Sequence, residues 1–143
     1  MSDTLTELEA EVCDGDTVVT LPEQVLFAFD RADLLPGAAT SLDRIAEAIA
    51  FFADAPGRVE GHTDVRGATA DNQDLSERRA RVVVDHLVGA GSDPGRVTAR
   101  GLGETRPVAA NQTAGGADDP AGRARNRRVE IVLEGVDPAD LDR

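Results

Sequence analysis

Two helical patterns with a β-prone run between them constrain this chain more than any other feature. Leu42, Ile45, Ile49 and Phe52 recur at spacings of three and four, and Asp43, Arg44 and Glu47 fall on the other face. That periodicity predicts an amphipathic helix over about residues 37–54, opened by Pro36 and closed by Pro56-Gly57. A second helix is predicted over about 73–90, with Leu75, Arg79, Val83 and Leu87 on one stripe, Val82 beside them, and Asp71 or Asn72 as N-cap. Gly89, Gly91 and Pro94 end it. Short β-prone runs flank and separate the helices: Thr17–Leu21, ended by Pro22, then Gln24–Phe29, Arg58–His62, Arg96–Gly101 and Asn126–Leu133. Residues 30–36 read as a turn and about 104–122 as a long irregular segment.

Helical crossovers favour parallel pairing of the strands they join. The expected fold is therefore α+β: a βαβαβ-β two-layer sandwich, a mixed sheet with two main helices packed on one face. One domain is expected over residues 16–134. An acidic flexible leader precedes it (1–15) and a polar tail follows (135–143). There is no internal repeat.

Composition removes several functions. Against 15 basic residues, all of them Arg, stand 27 acidic ones, giving a net charge of −12 over 143 residues. So acidic a chain is a poor general binder of nucleic acid or anionic membrane. Four Phe without Trp or Tyr leave no aromatic platform for stacking bases or sugar rings. The single cysteine, Cys13, excludes an internal disulfide, and two histidines, His62 and His86, cannot build a His-rich metal site. The N-terminal residues lack the basic head and apolar stretch of a secretory signal. Arg without Lys, together with abundant Ala, Gly and Asp, fits either a GC-rich genome or adaptation to high salt.

The chemistry concentrates in Gly61-His62-Thr63-Asp64-Val65-Arg66-Gly67 and the helix that follows. Asp64 lies just past a strand end, and Arg79 about two turns into the helix, on its inward stripe. A guanidinium on an apolar stripe is costly unless paired. One carboxylate and one guanidinium facing a common pocket would suit a zwitterionic ligand: the carboxylate takes an ammonium, and the guanidinium takes a carboxylate through two parallel hydrogen bonds. The alternative is that Asp64 and Arg79 pair with each other and tie loop to helix. Gly61 and Gly67 are expected to serve backbone geometry, His62 to be a scaffold residue, and Thr63 and Ser76 to hydrogen-bond locally. Ser76, His62 and Asp64 are the residue types of a hydrolase triad, but no Gly-x-Ser-x-Gly surrounds Ser76, so no catalytic residue, metal or cofactor is assigned. Arg123, Arg125, Arg127 and Arg128 read as partners for nearby carboxylates. Alternation puts Arg127 and Arg128 on opposite faces, one to support the pocket or meet a glycan and the other in solvent.

Val59–Gly67, Asn72–Ala80 and Asn126–Ile131 carry V-x-G-H-T-D-x-x-G, N-x-x-L-S-x-x-R-A and N-R-R-V-E-I. With Phe29-Asp30 before Leu35-Pro36, and Gly101-Leu102-Gly103-Glu104 before Pro107, these stretches resemble the OmpA-like, peptidoglycan-associated domain family over about residues 22–133. The resemblance implies non-covalent binding of the peptidoglycan stem peptide through meso-diaminopimelate, not catalysis, and anchoring of an envelope protein or complex to the cell wall. By that analogy Asp64 receives the ligand's ammonium and Arg79 its carboxylate. Asp30 and Asn72 line the pocket, backbone N–H groups near Asp30 and Val65 contribute, and Phe29 and Arg127 complete the set. It also implies a cell-envelope location and a membrane-anchored partner or parent chain, with no nucleic acid involved. A dimer is among the oligomeric states it leaves open. The other functional reading is a scaffold or protein-interaction module that keeps the fold without the ligand. One departure from the pattern is residues 114–121, read as an acidic, flexible insertion.

Overall fold

The computed structural model describes residues 11–13, 15–28, 32–51, 55–65, 68–109, 111 and 114–135. Its elements run β1 (Glu11–Cys13), β2 (Asp16–Pro22), α1 (Glu23–Leu26), α2 (Ala38–Phe51), β3 (Gly57–His62), α3 (Thr69–Gly89), β4 (Val97–Gly103), α4 (Pro120–Asn126) and β5 (Arg128–Leu133). The five strands form one mixed sheet in the order β1-β2-β5-β3-β4.

Parallel pairing holds where α3 joins neighbouring strands: β3 and β4 are parallel. The crossover through α2 behaves differently. Strand β5 inserts between β2 and β3 and runs antiparallel to both. Ile131 is thereby in register with Val19 on one side and Val59 on the other, a row of branched side chains facing the helices. These residues close a core with Leu42, Ile45 and Ile49 of α2 and Ala80, Val83 and Leu87 of α3. Such apolar burial, on the order of 25 cal/mol per Å², is what holds both helices on the sheet. The next row, Thr20–Glu130–Glu60, points the other way, because side chains alternate across a strand.

Helix α3 lies directly on β3 and β4 because two glycines let it. A Cβ on Gly61 would overlap the Ser76 carbonyl, and one on Gly101 would stand 2.6 Å from Ser76 Oγ. Ser76 uses the proximity: its hydroxyl donates to the Gln73 carbonyl (2.8 Å) and accepts from Gly103 N–H (2.9 Å).

Five local expectations are corrected. Glu11–Cys13, inside the segment expected to be a flexible leader, pairs antiparallel with β2. The run Gln24–Phe29 is not a strand: Glu23–Leu26 form a single helical turn, and of the described remainder only Phe27 makes a bridge, to Leu34. Its β-branched and aromatic content lost to anchoring, because Glu23 N–H donates to the Arg127 carbonyl and Phe27 N–H back to the Glu23 carbonyl. Helix α3 begins at Thr69, with Ala68 as N-cap and no side-chain cap, so neither Asp71 nor Asn72 caps it; the Asn72 N–H already bonds the Ala68 carbonyl. The segment expected to be irregular up to residue 122 holds the start of α4, nucleated by Pro120 in its first turn and by Asp119, whose side chain accepts from Gly122 N–H. Because α4 runs to Asn126, the last strand starts at Arg128 rather than Asn126.

Candidate functional site

Strand β3 delivers Asp64 to the loop before α3, and the inward stripe of α3 delivers Arg79. Both are buried, at 6% and 3% exposure. Arg79 Nη1 donates to Glu23 Oε1 at 2.5 Å, and its guanidinium carbon stands 5.0 Å from the centroid of the Phe27 ring, in cation–π range. Asp64 Oδ2 accepts from Arg127 Nη1 at 2.6 Å and from Arg123 Nη1 at 3.3 Å.

These contacts link into one chain of alternating charge. Glu23 bridges two cations, taking Arg79 on Oε1 and Arg127 Nε on Oε2 at 2.8 Å. Arg127 bridges two anions, Glu23 and Asp64. Arg123 joins Asp64 to Asp118 through two short bonds, Nε to Oδ1 at 2.6 Å and Nη2 to Oδ2 at 2.7 Å. The order is Arg79–Glu23–Arg127–Asp64–Arg123–Asp118, three cations against three anions. The Asp118 carboxylate first, and Asp64 after it, raise Arg123 above its ordinary value against the opposing effect of burial. Such a network compensates buried charge, and its opposite signs are laid out where a zwitterion could exchange for protein partners.

Asn72 is buried beside the network, its amide donating to the Asp64 carbonyl at 3.2 Å and approaching Glu104 Oε1 at 3.4 Å. Thr63 Oγ1 donates to the same Asp64 carbonyl at 3.0 Å. Val65 is exposed at the rim, 42% accessible. The structure thus brings together Asp64, Arg79, Asn72 and Arg127, with Val65 adjoining. Phe29 and Asp30, and the expected backbone role of Gly67, lie outside the described residues.

Sequence reasoning missed Glu23 and Asn126, whereas Arg123, expected to pair with nearby carboxylates, does so with Asp64 and Asp118. Nothing in the local sequence marks Glu23, which reaches the site only because Pro22 ends β2 there. Asn126 is fully buried; its Oδ1 accepts from the Val108 and Ala109 N–H groups, and its Nδ2 donates to the Ala109 carbonyl and to Asn111 Oδ1. Segment 114–121, expected to be flexible, contributes Asp118 and Asp119 to fixed contacts.

Arg127 and Arg128 do point apart, but Arg128 is not solvated: it is 5% exposed, on the sheet face away from the helices. It donates from both Nε and Nη2 to Glu130 Oε2 at 2.6 Å and from Nη2 to the Arg106 carbonyl at 3.0 Å. His62 is buried on that face, its Nε2 3.4 Å from Glu130 Oε2 and 3.7 Å from Glu60 Oε1. Burial, and then the Arg128 charge, hold His62 below its ordinary pKa of 6.5, against the opposing pull of Glu130 and Glu60. The trio has the composition of a metal site, yet Arg58 Nε already occupies Glu60 Oε2 at 2.7 Å and Arg128 occupies Glu130. These contacts make it a compensated charge ladder.

Among known proteins, the OmpA family model matches residues 26–120, and the chain belongs to the OmpA family. It is 41% identical over 130 residues to the photosystem I P700 chlorophyll a apoprotein A2 of Gloeobacter violaceus, covering 91% of this chain and 15% of that protein. It is 38% identical over 109 residues to the peptidoglycan-binding protein ArfA of Mycobacterium tuberculosis, covering 76% of this chain and 32% of that one. The chain therefore spans less than two thirds of these relatives, which share with it one module. Among solved structures, the cell wall anchor of the T6SS from Pseudomonas aeruginosa superimposes with a TM-score of 0.75 at 36% identity, over 93% of this chain and 92% of that one. The OmpA-like α+β fold expected from the sequence is the fold observed.

Proposed function

We propose that this chain binds peptidoglycan through the free end of diaminopimelate in the stem peptide, and so ties an envelope protein or complex to the cell wall. The observation that carries this reading is that Asp64 and Arg79 are both buried in one ionic network, joined through Glu23 and Arg127. In the bound state the ligand's ammonium meets Asp64, and its carboxylate takes a guanidinium edge of Arg79 in competition with Glu23. Asn72 and Arg127 orient the Asp64 segment, Val65 lies at the entrance, and Phe29 and Asp30, which fall outside the described residues, belong to the ligand set by the family resemblance alone. A relative named as peptidoglycan-binding and a neighbour described as a cell wall anchor support it. The activity is binding without catalysis, and the location is the cell envelope; no helix among the described residues is long and apolar enough to cross a membrane.

Asp64→Asn and Arg79→Gln should each reduce retention on diaminopimelate-type wall material by tenfold or more, since a charge-assisted contact contributes about 1.5–3 kcal/mol. Melting curves check that both variants fold. Normal retention by folded variants would refute the reading and favour a scaffold that has lost its ligand. Muropeptides released from intact wall would instead indicate an enzyme.

A further inference from the structure

We infer that Asp118, supplied by segment 114–121, is a positioning residue for the ammonium half of the pocket: it holds Arg123 back from Asp64. The inference rests on the wall-binding reading above. Asp118 takes the side-on edge of the Arg123 guanidinium, Nε and Nη2, at 2.6 and 2.7 Å. With that edge on Asp118, it is Nη1 that approaches Asp64, at 3.3 Å. That is long beside the 2.6 Å contact of Arg127 to the same oxygen, and outside the range of about 2.7–2.9 Å usual for such pairs.

The placement of Asp118 is built in. The next residue, Asp119, accepts from Gly122 N–H through its side chain and from Arg123 N–H through its carbonyl, and its own N–H donates to the Asn111 carbonyl. The N-terminus of α4 therefore fixes Asp118 against a side chain one turn further on. Asp118 itself is largely exposed, 59% accessible at its side chain, so removing it leaves no cavity. Without it, the guanidinium of Arg123 would be free to turn its side-on edge to Asp64, and the network would hold three cations against two anions. Both changes oppose an incoming ammonium, and neither opposes a carboxylate at Arg79.

The test titrates wild type, Asp118→Ala, Asp118→Asn and the double variant Asp118→Ala/Arg123→Gln by calorimetry with two synthetic stem peptides. One ends in diaminopimelate; in the other, hydrogen replaces the terminal amino group. Asp118→Ala should lose about three- to fivefold in affinity for the diaminopimelate peptide, the scale of a partly exposed ion pair, and nothing for the deaminated one. Asp118→Asn should lose less, and the double variant should recover. Equal losses on both peptides, no loss, or no recovery would overturn the inference while leaving wall binding intact. Wild type that bound neither peptide would overturn both.

Discussion

Glu23→Gln isolates the residue on which the ion network turns. Glu23 is the one described carboxylate that bridges Arg79 and Arg127, and its side chain is 11% exposed against 4% for Arg79 and 26% for Arg127. The amide keeps shape and one acceptor oxygen but removes the negative charge between two cations. Breaking a fully buried pair costs about 3–5 kcal/mol. The partial exposure of Arg127 lowers that to about 2–3 kcal/mol here, since a wetter charge is better screened. With a urea dependence of about 2 kcal/mol per M, the unfolding midpoint should fall by about 1–1.5 M. Binding should move the opposite way: Glu23 competes with the ligand carboxylate for Arg79, so the folded variant should hold a diaminopimelate stem peptide more tightly than wild type. Urea titration followed by circular dichroism reads the first effect, and calorimetry the second. A midpoint within about 0.3 M of wild type would show that the bridge contributes little and that the argument from burial is wrong. Weaker binding by the folded variant would show that Glu23 orients Arg79 rather than competing for it.

Two further outcomes follow from groups outside the pocket. Asn126→Ala strands two amide N–H groups, those of Val108 and Ala109, that its Oδ1 now accepts, so stability should fall by about 2–4 kcal/mol and amide exchange at those two residues should accelerate. His62 is held below its ordinary 6.5 by burial and Arg128, so the unfolded chain binds a proton there before the folded one does. Stability from this group is complete above pH 6.5 and declines as pH falls from that value toward the depressed folded one. Urea midpoints measured from pH 7.5 to 5.5 should drop for wild type and flatten for His62→Gln; parallel slopes would assign the pH dependence elsewhere.

The parts of this fold that were legible in the sequence are those fixed by local periodicity. Leu42–Ile45–Ile49 and Leu75–Val83–Leu87 announce their helices because each stripe must be buried whatever it packs on, and all six residues are in the core or its margin. What periodicity cannot carry is the partner across a long loop. Gln24–Phe29 has strand composition, yet Glu23 folds into a turn because the Arg127 carbonyl, 104 residues later, takes its N–H. The same gap explains the site. Arg79 stood out because a guanidinium on an apolar stripe demands a counter-charge, and that demand was readable. The identity of the counter-charge was not: Asp64 was the nearest motif carboxylate, while the contact made to Nη1 comes from Glu23, a residue with no local mark. A lone charge on a buried stripe therefore identifies a site but not its electrostatics. Here the difference matters, because Asp64 and Arg79 are engaged with different residues of the network, Arg127 and Arg123 for the one and Glu23 for the other. On the proposed reading, a ligand carrying both charges on one head group would replace contacts at both ends at once, which a simple cation or anion could not do.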